Sequence, residues 1–278
     1  MNYGLKRAGK DLLLYTADDF EPSVIFDCGQ CFRFDPLPDG SFEGVAMKKR
    51  LRIRREGDAV RFFDTDESDF EKVWRRYFDM DRDYRACAED VIAHSGKYRD
   101  HVVRAVKRGA GIRILRQDPW ETLVSFIISQ NNNIPRIKKL VEALCRECGE
   151  PAEGGGSAFP EPEALRALGE DRLKEMKFGF RAGYLADAAR RVCDGRLDLD
   201  SLYKMDFESA AKTLESVKGV GRKVASCTLL FGYSKLDAFP VDVWIKRVID
   251  LRFGGEIPDL GEYRGLAQQY LFYYERYQ

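Results

Sequence analysis

The chain has 278 residues, 44% of them hydrophobic, which is enough for two ordinary domains with packed cores. Its 46 basic and 46 acidic side chains cancel, so no global field advertises a nucleic-acid partner, although a DNA footprint needs only one basic face. There is no run of about 18 apolar residues, and residues 1–10 lack an apolar signal core. The expectation is therefore an intracellular protein without a membrane span, in cytoplasm, nucleoid or nucleus, whose seven cysteines stay reduced.

About the first 65 residues carry strand-like alternation broken by turn residues: Cys31-Phe-Arg-Phe34, the Asp35-Pro-Leu-Pro-Asp-Gly40 turn, Phe42 to Val45, Leu51 to Arg55 and Ala59 to Phe63. They read as a small antiparallel sheet. Over residues 66–94 the period becomes helical, with Phe70, Val73, Trp74, Tyr77 and Phe78 on one side. Asp118-Pro-Trp-Glu121 is a helix start, with an N-cap, proline at the first helical position and a glutamate placed to close a capping box. That helix stops at Ser129-Gln-Asn-Asn-Asn133, and a second runs from near Pro135 to about Cys148. Cys145 and Cys148 fall on its apolar stripe with Ile137, Leu140, Val141 and Leu144, so this pair and Cys28/Cys31 read as buried packing rather than a zinc site. Residues 151–157 form a flexible surface connection, and further helices are expected over 206–217, 222–232, 242–253 and 259–277. The fold class is α+β: an N-terminal sheet-containing domain over residues 1–117 and an all-helical domain over 118–278.

The segment from Leu214 to Cys227 carries the most chemistry. One amphipathic helix ends in Gly219-Val220-Gly221 and another starts at once. No side chain covers the amides of such a turn, and they stand at the positive end of the second helix, where a phosphate oxygen is favoured. Lys212, Lys218 and Arg222 add charge around it, and Arg99, Arg104, Lys107, Arg108, Arg113 and Arg116 offer a second basic stretch. Taken alone, the same residues also suit a tight helical hairpin with solvated lysines.

Nineteen residues after Lys223 comes Phe239-Pro-Val-Asp242-Val. Together with the hairpin, this resembles the helix-hairpin-helix (HhH-GPD) DNA glycosylases, and within them the 8-oxoguanine DNA glycosylase family. Cys28-Gly-Gln-Cys-Phe-Arg33, Leu115-Arg-Gln-Asp-Pro119, Ser129-Gln-Asn-Asn-Asn-Ile134 and Ala267-Gln-Gln-Tyr-Leu-Phe272 are similar to further runs of that family, in order along nearly the whole chain. Iron–sulfur relatives carry four cysteines after the catalytic aspartate, and here none follows Cys227. Alkyl-base relatives usually lack the hairpin lysine.

The resemblance implies a bifunctional glycosylase and abasic-site lyase that excises 8-oxoguanine from double-stranded DNA as a monomer, with no metal and no cofactor. Lys223 would be the nucleophile and Asp242 the carboxylate that offsets charge on the departing sugar, while also standing as an N-cap. Cys227 and Phe272 would sandwich the flipped base, Gln268 would read its Watson–Crick edge, and Gly29 would offer its carbonyl to N7–H, the donor that oxidation at C8 creates. Gly219 and Gly221 would meet phosphate. Asn131, Arg136, Phe180 and Arg181 would handle the partner base and the kinked duplex. Trp244 stands where many relatives have a phosphate-contacting histidine, and Lys218 replaces a proline that commonly opens the hairpin, which predicts a looser turn. Two other readings stay open at this stage: a glycosylase of the same scaffold for another damaged base, and a non-catalytic DNA-binding module. The module would need neither Lys223 nor Asp242.

Overall fold

The structure is a computed structural model that describes residues 3–16 and 19–278. Strand alternation in the N-terminal part produces one six-stranded antiparallel sheet, β1 (Tyr3–Ala8), β2 (Asp11–Thr16), β3 (Phe34–Pro36), β4 (Phe42–Ala46), β5 (Lys49–Glu56) and β6 (Ala59–Phe62), in the order β1-β2-β6-β5-β4-β3. Leu12, Leu14, Leu51, Ile53, Val60 and Phe62 are buried on one face. The alternate arginines Arg52, Arg54 and Arg61 stand on the other around the Phe63 ring, paired to Asp39, Glu56 and Asp11. Cys31-Phe-Arg33, expected to begin a strand, lies ahead of β3 in irregular backbone.

The helical stretch expected over 66–94 is there, in several pieces. After a short α1 (Pro22–Ile25), α2 (Glu67–Asp69) runs through a π-helical turn at Phe70–Trp74 into α3 (Arg75–Tyr77), and α4 (Tyr84–His94) starts afresh. The apolar side places Phe70, Trp74 and Phe78 in the sheet core. At the break, Asp79 adopts a left-handed φ of 50° and buries its carboxylate against Arg82, Tyr84 and Arg116. The Asp83 cap then accepts from the amides of Arg85 and Ala86.

The remaining helices are α5 (Arg99–Arg108), α6 (Pro119–Ser129), α7 (Ile134–Cys148), α8 (Pro162–Glu175), α9 (Arg181–Cys193), α10 (Phe207–Glu215), α11 (Arg222–Tyr233), α12 (Val243–Arg252) and α13 (Arg264–Arg276). Asp118 caps α6 as expected, its Oδ1 accepting from Glu121 N at 2.9 Å. Among the described residues no bond returns from the Glu121 carboxyl to close a capping box; burial instead pushes that carboxyl up to about 7. Helix α13 starts five residues later than expected, and Gly261, inside the missing stretch, takes left-handed backbone.

Residues 151–157 do not float. Arg50 N donates to Glu153 O at 2.8 Å, Glu153 N to Lys48 O at 2.9 Å, and Lys49 Nζ to Glu153 Oε1 at 2.8 Å, so the triglycine loop is laid onto the β4–β5 turn. Cys28, Cys31 and Cys145 are buried and Cys148 is partly so. No helix among the described residues is long and apolar enough to cross a membrane. One apolar cluster lies against the sheet and a larger one among the helices. The second takes in Val24, Cys28 and Phe32 from the N-terminal part, and α4 and α5 pack on α13. The candidate site lies where these parts meet.

Candidate active site

The hairpin between α10 and α11 is held from below and open above. Val217 and Val220 are buried and anchor it. Gly219 has φ +79°, and a Cβ there would stand 2.2 Å from the Tyr184 ring, so both backbone and space demand glycine. Gly221, the N-cap of α11, is extended, makes no side-chain cap bond and has open space around it. Lys218 does not loosen the turn: its amide donates to Asp187 Oδ2 at 3.1 Å, a bond that a proline could not make. Asp187 itself is braced by Arg190 and Arg191.

At the second position of α11, Lys223 is half-buried, with Nζ 4.8 Å from the centre of the Phe126 ring. Among the described residues no ion pair ties it down. Asp242 caps α12: its Oδ1 accepts from Trp244 N at 3.0 Å and Ile245 N at 2.9 Å. That fixes the carboxylate while Oδ2 makes no hydrogen bond among the described residues. Lys223 and Asp242 line one cavity with Cys28, Gly29, Cys227, Gln268 and Phe272. Cys227, four residues after Lys223, has its thiol pushed up to about 11, chiefly by burial, with the nearby Lys223 ammonium opposing and Asp242 adding to the rise.

The cavity is narrow, about 40 Å³, room for about one water and far less than a purine. Phe272 narrows it. A Cβ on Gly29, which has φ +75°, would meet two Phe272 ring carbons at 3.3 Å. The segment behind Gly29 is rigid for a legible reason. Gln30 is buried and acts as a strand in miniature, donating to Arg113 O at 2.8 Å and accepting from Leu115 N at 2.8 Å, while Gln117 Nε2 donates to Gln30 O at 2.7 Å. The Gly-Gln and Leu-Arg-Gln runs of the sequence are thus two halves of one clamp. Gln268 is buried, and its Oε1 accepts from Gln269 Nε2 at 2.8 Å.

The residues expected on the partner-base side gather at the α6–α7 turn and the start of α9. Asn131 is exposed with φ +46°, Arg136 is exposed in the first turn of α7, and Phe180 is 53% exposed just before α9. Arg181 differs from the expectation of a free donor. It is buried, and its guanidinium bonds Gln130 O, Asn131 O and Phe178 O, clamping the turn. Arg136 spends only one long bond, 3.4 Å to Lys177 O.

The second basic stretch is not one surface. Arg113 is fully buried and bonds Asp19, Phe78 O, Asp79 O and Arg82 O, and Arg116 pairs with Asp79. At the hairpin, Arg222 pairs with Glu208. Five residues that line the cavity were not among the expected site residues: Cys28, Phe126, Phe231, Pro240 and Gln269. The two phenylalanines stack at 5.5 Å between α6 and α11. Each sits in an apolar run that serves the core as well, so periodicity gives no signal for them. Pro240 lies within the Asp242 motif and Gln269 doubles Gln268, which could have marked both.

Comparison with known proteins points one way. The model for the 8-oxoguanine DNA glycosylase N-terminal domain matches residues 12–123, and that for HhH-GPD superfamily base excision DNA repair proteins matches residues 124–257. The solved complex of MBOgg1 with a low-affinity DNA ligand is 40% identical and superposes over 100% of this chain and 99% of that one, with a TM-score of 0.91. The Clostridium acetobutylicum 8-oxoguanine glycosylase/lyase, solved with duplex DNA containing cytosine opposite 8-oxoguanine, is 34% identical over 100% of this chain and 99% of its own, with a TM-score of 0.91. The Saccharomyces cerevisiae N-glycosylase/DNA lyase is 39% identical over 153 residues, 50% of this chain and 41% of that protein. The chain spans about half the length of the curated relatives it matches.

Proposed function

Since the chain belongs to the 8-oxoguanine DNA glycosylase family of the HhH-GPD superfamily, we propose that it flips 8-oxoguanine out of duplex DNA and excises it through Lys223. The observation that carries this reading is the meeting of Lys223 and Asp242 in one cavity with Gly29, Cys227, Gln268 and Phe272. A non-catalytic binding module has no use for that convergence.

The neutral Lys223 amine attacks C1′ as the bond from C1′ to N9 breaks, and the electron pair leaves with the base. Positive charge builds on the sugar as the base departs, and the fixed Asp242 carboxylate stabilises it without having to reorganise. Ring opening with loss of the nitrogen's proton leaves a Schiff base. Removal of a C2′ proton then expels the 3′ phosphate by β-elimination, which is the lyase step. The Phe126 face beside Nζ keeps water from the amine on one side.

In the bound state Cys227 and Phe272 cover the two faces of the base, Gln268 meets its Watson–Crick edge, and Gly29 accepts from N7–H. With about 40 Å³ available, Phe272 has to move before a purine enters. Gly219 and Gly221 offer amides to phosphate at the mouth. On the other strand Phe180 is the wedge, Asn131 fills the vacated space and Arg136 donates to the partner base. Arg181 serves this turn from beneath by holding the Gln130 and Asn131 carbonyls.

Borohydride trapping on a duplex carrying 8-oxoguanine opposite cytosine tests the reading. A covalent complex that forms with the unmutated chain and not with Lys223→Gln is the expected result. Excision without any trapped complex would remove Lys223 from the nucleophile's role.

A further inference from the structure

Gln268 is the group proposed to read the Watson–Crick edge, and an amide can read it in two ways. With its carbonyl toward N1 and its NH₂ toward the six-position, it complements a guanine-type edge: O6 accepts and N1–H donates. Turned over, it complements an adenine-type edge, where the six-amino group donates and N1 accepts. The shape of the amide is nearly the same in both. Selectivity for the guanine edge therefore requires something that forbids the turn.

The neighbouring residue supplies it. Gln269 Nε2 donates to Gln268 Oε1 at 2.8 Å. Both side chains are 3% exposed and both line the cavity. If Gln268 turned over alone, its NH₂ would face the Gln269 NH₂, donor against donor in a buried place. If both turned together, the hydrogen bond would survive, but the Gln269 NH₂ would move to where its Oε1 now lies. That oxygen is buried and has no partner. Two unpartnered N–H groups would replace one unpartnered acceptor, which is the worse arrangement.

We propose that Gln269 is a positioning residue for base identity: it locks Gln268 in the orientation that accepts a guanine-type edge and rejects an adenine-type edge. The Gln269 Oε1, buried and unpartnered, tolerates its place as an acceptor and would not be improved by an N–H there. This inference rests on the proposed excision of 8-oxoguanine and goes beyond it, because it assigns the choice of edge to a residue that need not touch the base.

The test is the ratio of single-turnover excision rates for 8-oxoguanine and 8-oxoadenine, each opposite cytosine, measured at saturating enzyme. In Gln269→Leu the ratio should fall by about tenfold or more, the scale of one bidentate base contact. Gln269→Glu, which offers only acceptors when ionised, favours the turned Gln268 and should depress the ratio further. Gln269→Met replaces the leucine variant if that does not fold. A fall in both rates with the ratio unchanged would make Gln269 a packing residue and overturn the inference. An unmutated chain that excises neither base overturns instead the function on which it rests.

Discussion

The two sides of the candidate site are built from opposite materials. The proposed lesion side is made of core: Cys227, Gln268, Gln269 and Phe272 are buried, they lie on helices α11 and α13, and the cavity they line is smaller than a purine. The partner-strand side is made of surface: Asn131 in left-handed backbone, Arg136 in an exposed first turn, Phe180 projecting into solvent. A pocket that doubles as core has its geometry enforced by packing, so its residues cannot change without cost to the fold. A surface wedge is held only by its local turn, here through the Arg181 clamp, so it can vary while the chemistry stays. Identity of the damaged base should therefore be specified rigidly, and identity of its partner loosely.

The sharpest way to break that comparison is at the reacting groups. Lys223→Gln should bind lesion DNA yet give no excision and no trapped complex, because an amide is not nucleophilic. Asp242→Asn should slow excision by about 10²–10³. Asparagine caps helices as well as aspartate does, so an unchanged melting temperature beside that loss would separate the charge from the cap, and a large fall in melting temperature would merge them.

At Gly29 an alanine meets both the left-handed φ of 75° and the Phe272 ring. A destabilisation on the order of 1 kcal/mol should accompany slower excision, visible as a lower melting temperature and a lower single-turnover rate. An unaffected rate would mean that the rigid lesion side tolerates change after all. On the loose side the effects should be smaller and should depend on the partner base. Excision of 8-oxoguanine should be faster opposite cytosine than opposite adenine, since cytosine presents the O2 and N3 acceptors that suit Arg136, and Arg136→Met should narrow that difference. Equal rates opposite cytosine and opposite adenine in the unmutated chain would end this role for Arg136.

The smallest expected effect lies at the start of α6, the helix that carries Phe126 to the cavity. Burial holds the Glu121 carboxyl up near about 7, against an ordinary 4.5. Between those values the folded state binds the proton that the unfolded chain releases, so this contribution to stability is full at low pH and is lost as the pH rises through 7. Glu121→Gln should flatten that decline in a pH series of melting temperatures and leave excision at pH 6 nearly unchanged.

Each part of the molecule was legible in the sequence to the extent that its packing leaves a local signal. The sheet and most helices were legible because alternation and helical spacing record which face is buried, as in Leu51 and Ile53 against Arg52 and Arg54. The break near Asp79 was not, because the partners that hold it, Arg116 and the sheet core around Phe78, are remote in sequence. At the site, Lys223 and Asp242 were readable only through their motif, since an N-cap aspartate and a lysine on an amphipathic helix are common in any bundle. Arg181 and Arg113 looked like free cations and are spent on backbone carbonyls, which one-dimensional patterning cannot reveal. The 151–157 loop looked unattached because its partners, Lys48 to Arg50, lie about a hundred residues away.

The burial of the cavity thiols has a consequence for durability. Oxidised bases accumulate under the same conditions that oxidise cysteine. Susceptibility to that oxidation follows thiolate character and exposure. Cys28 and Cys227 line the cavity, yet burial pushes their thiols up to about 12 and about 11, and neither is more than 3% exposed. At neutral pH both remain almost wholly in the less reactive S–H form, with little surface for a dissolved oxidant to meet. A sulfur surface polarizable enough to lie against a purine is thereby kept chemically silent under the stress that creates the lesion.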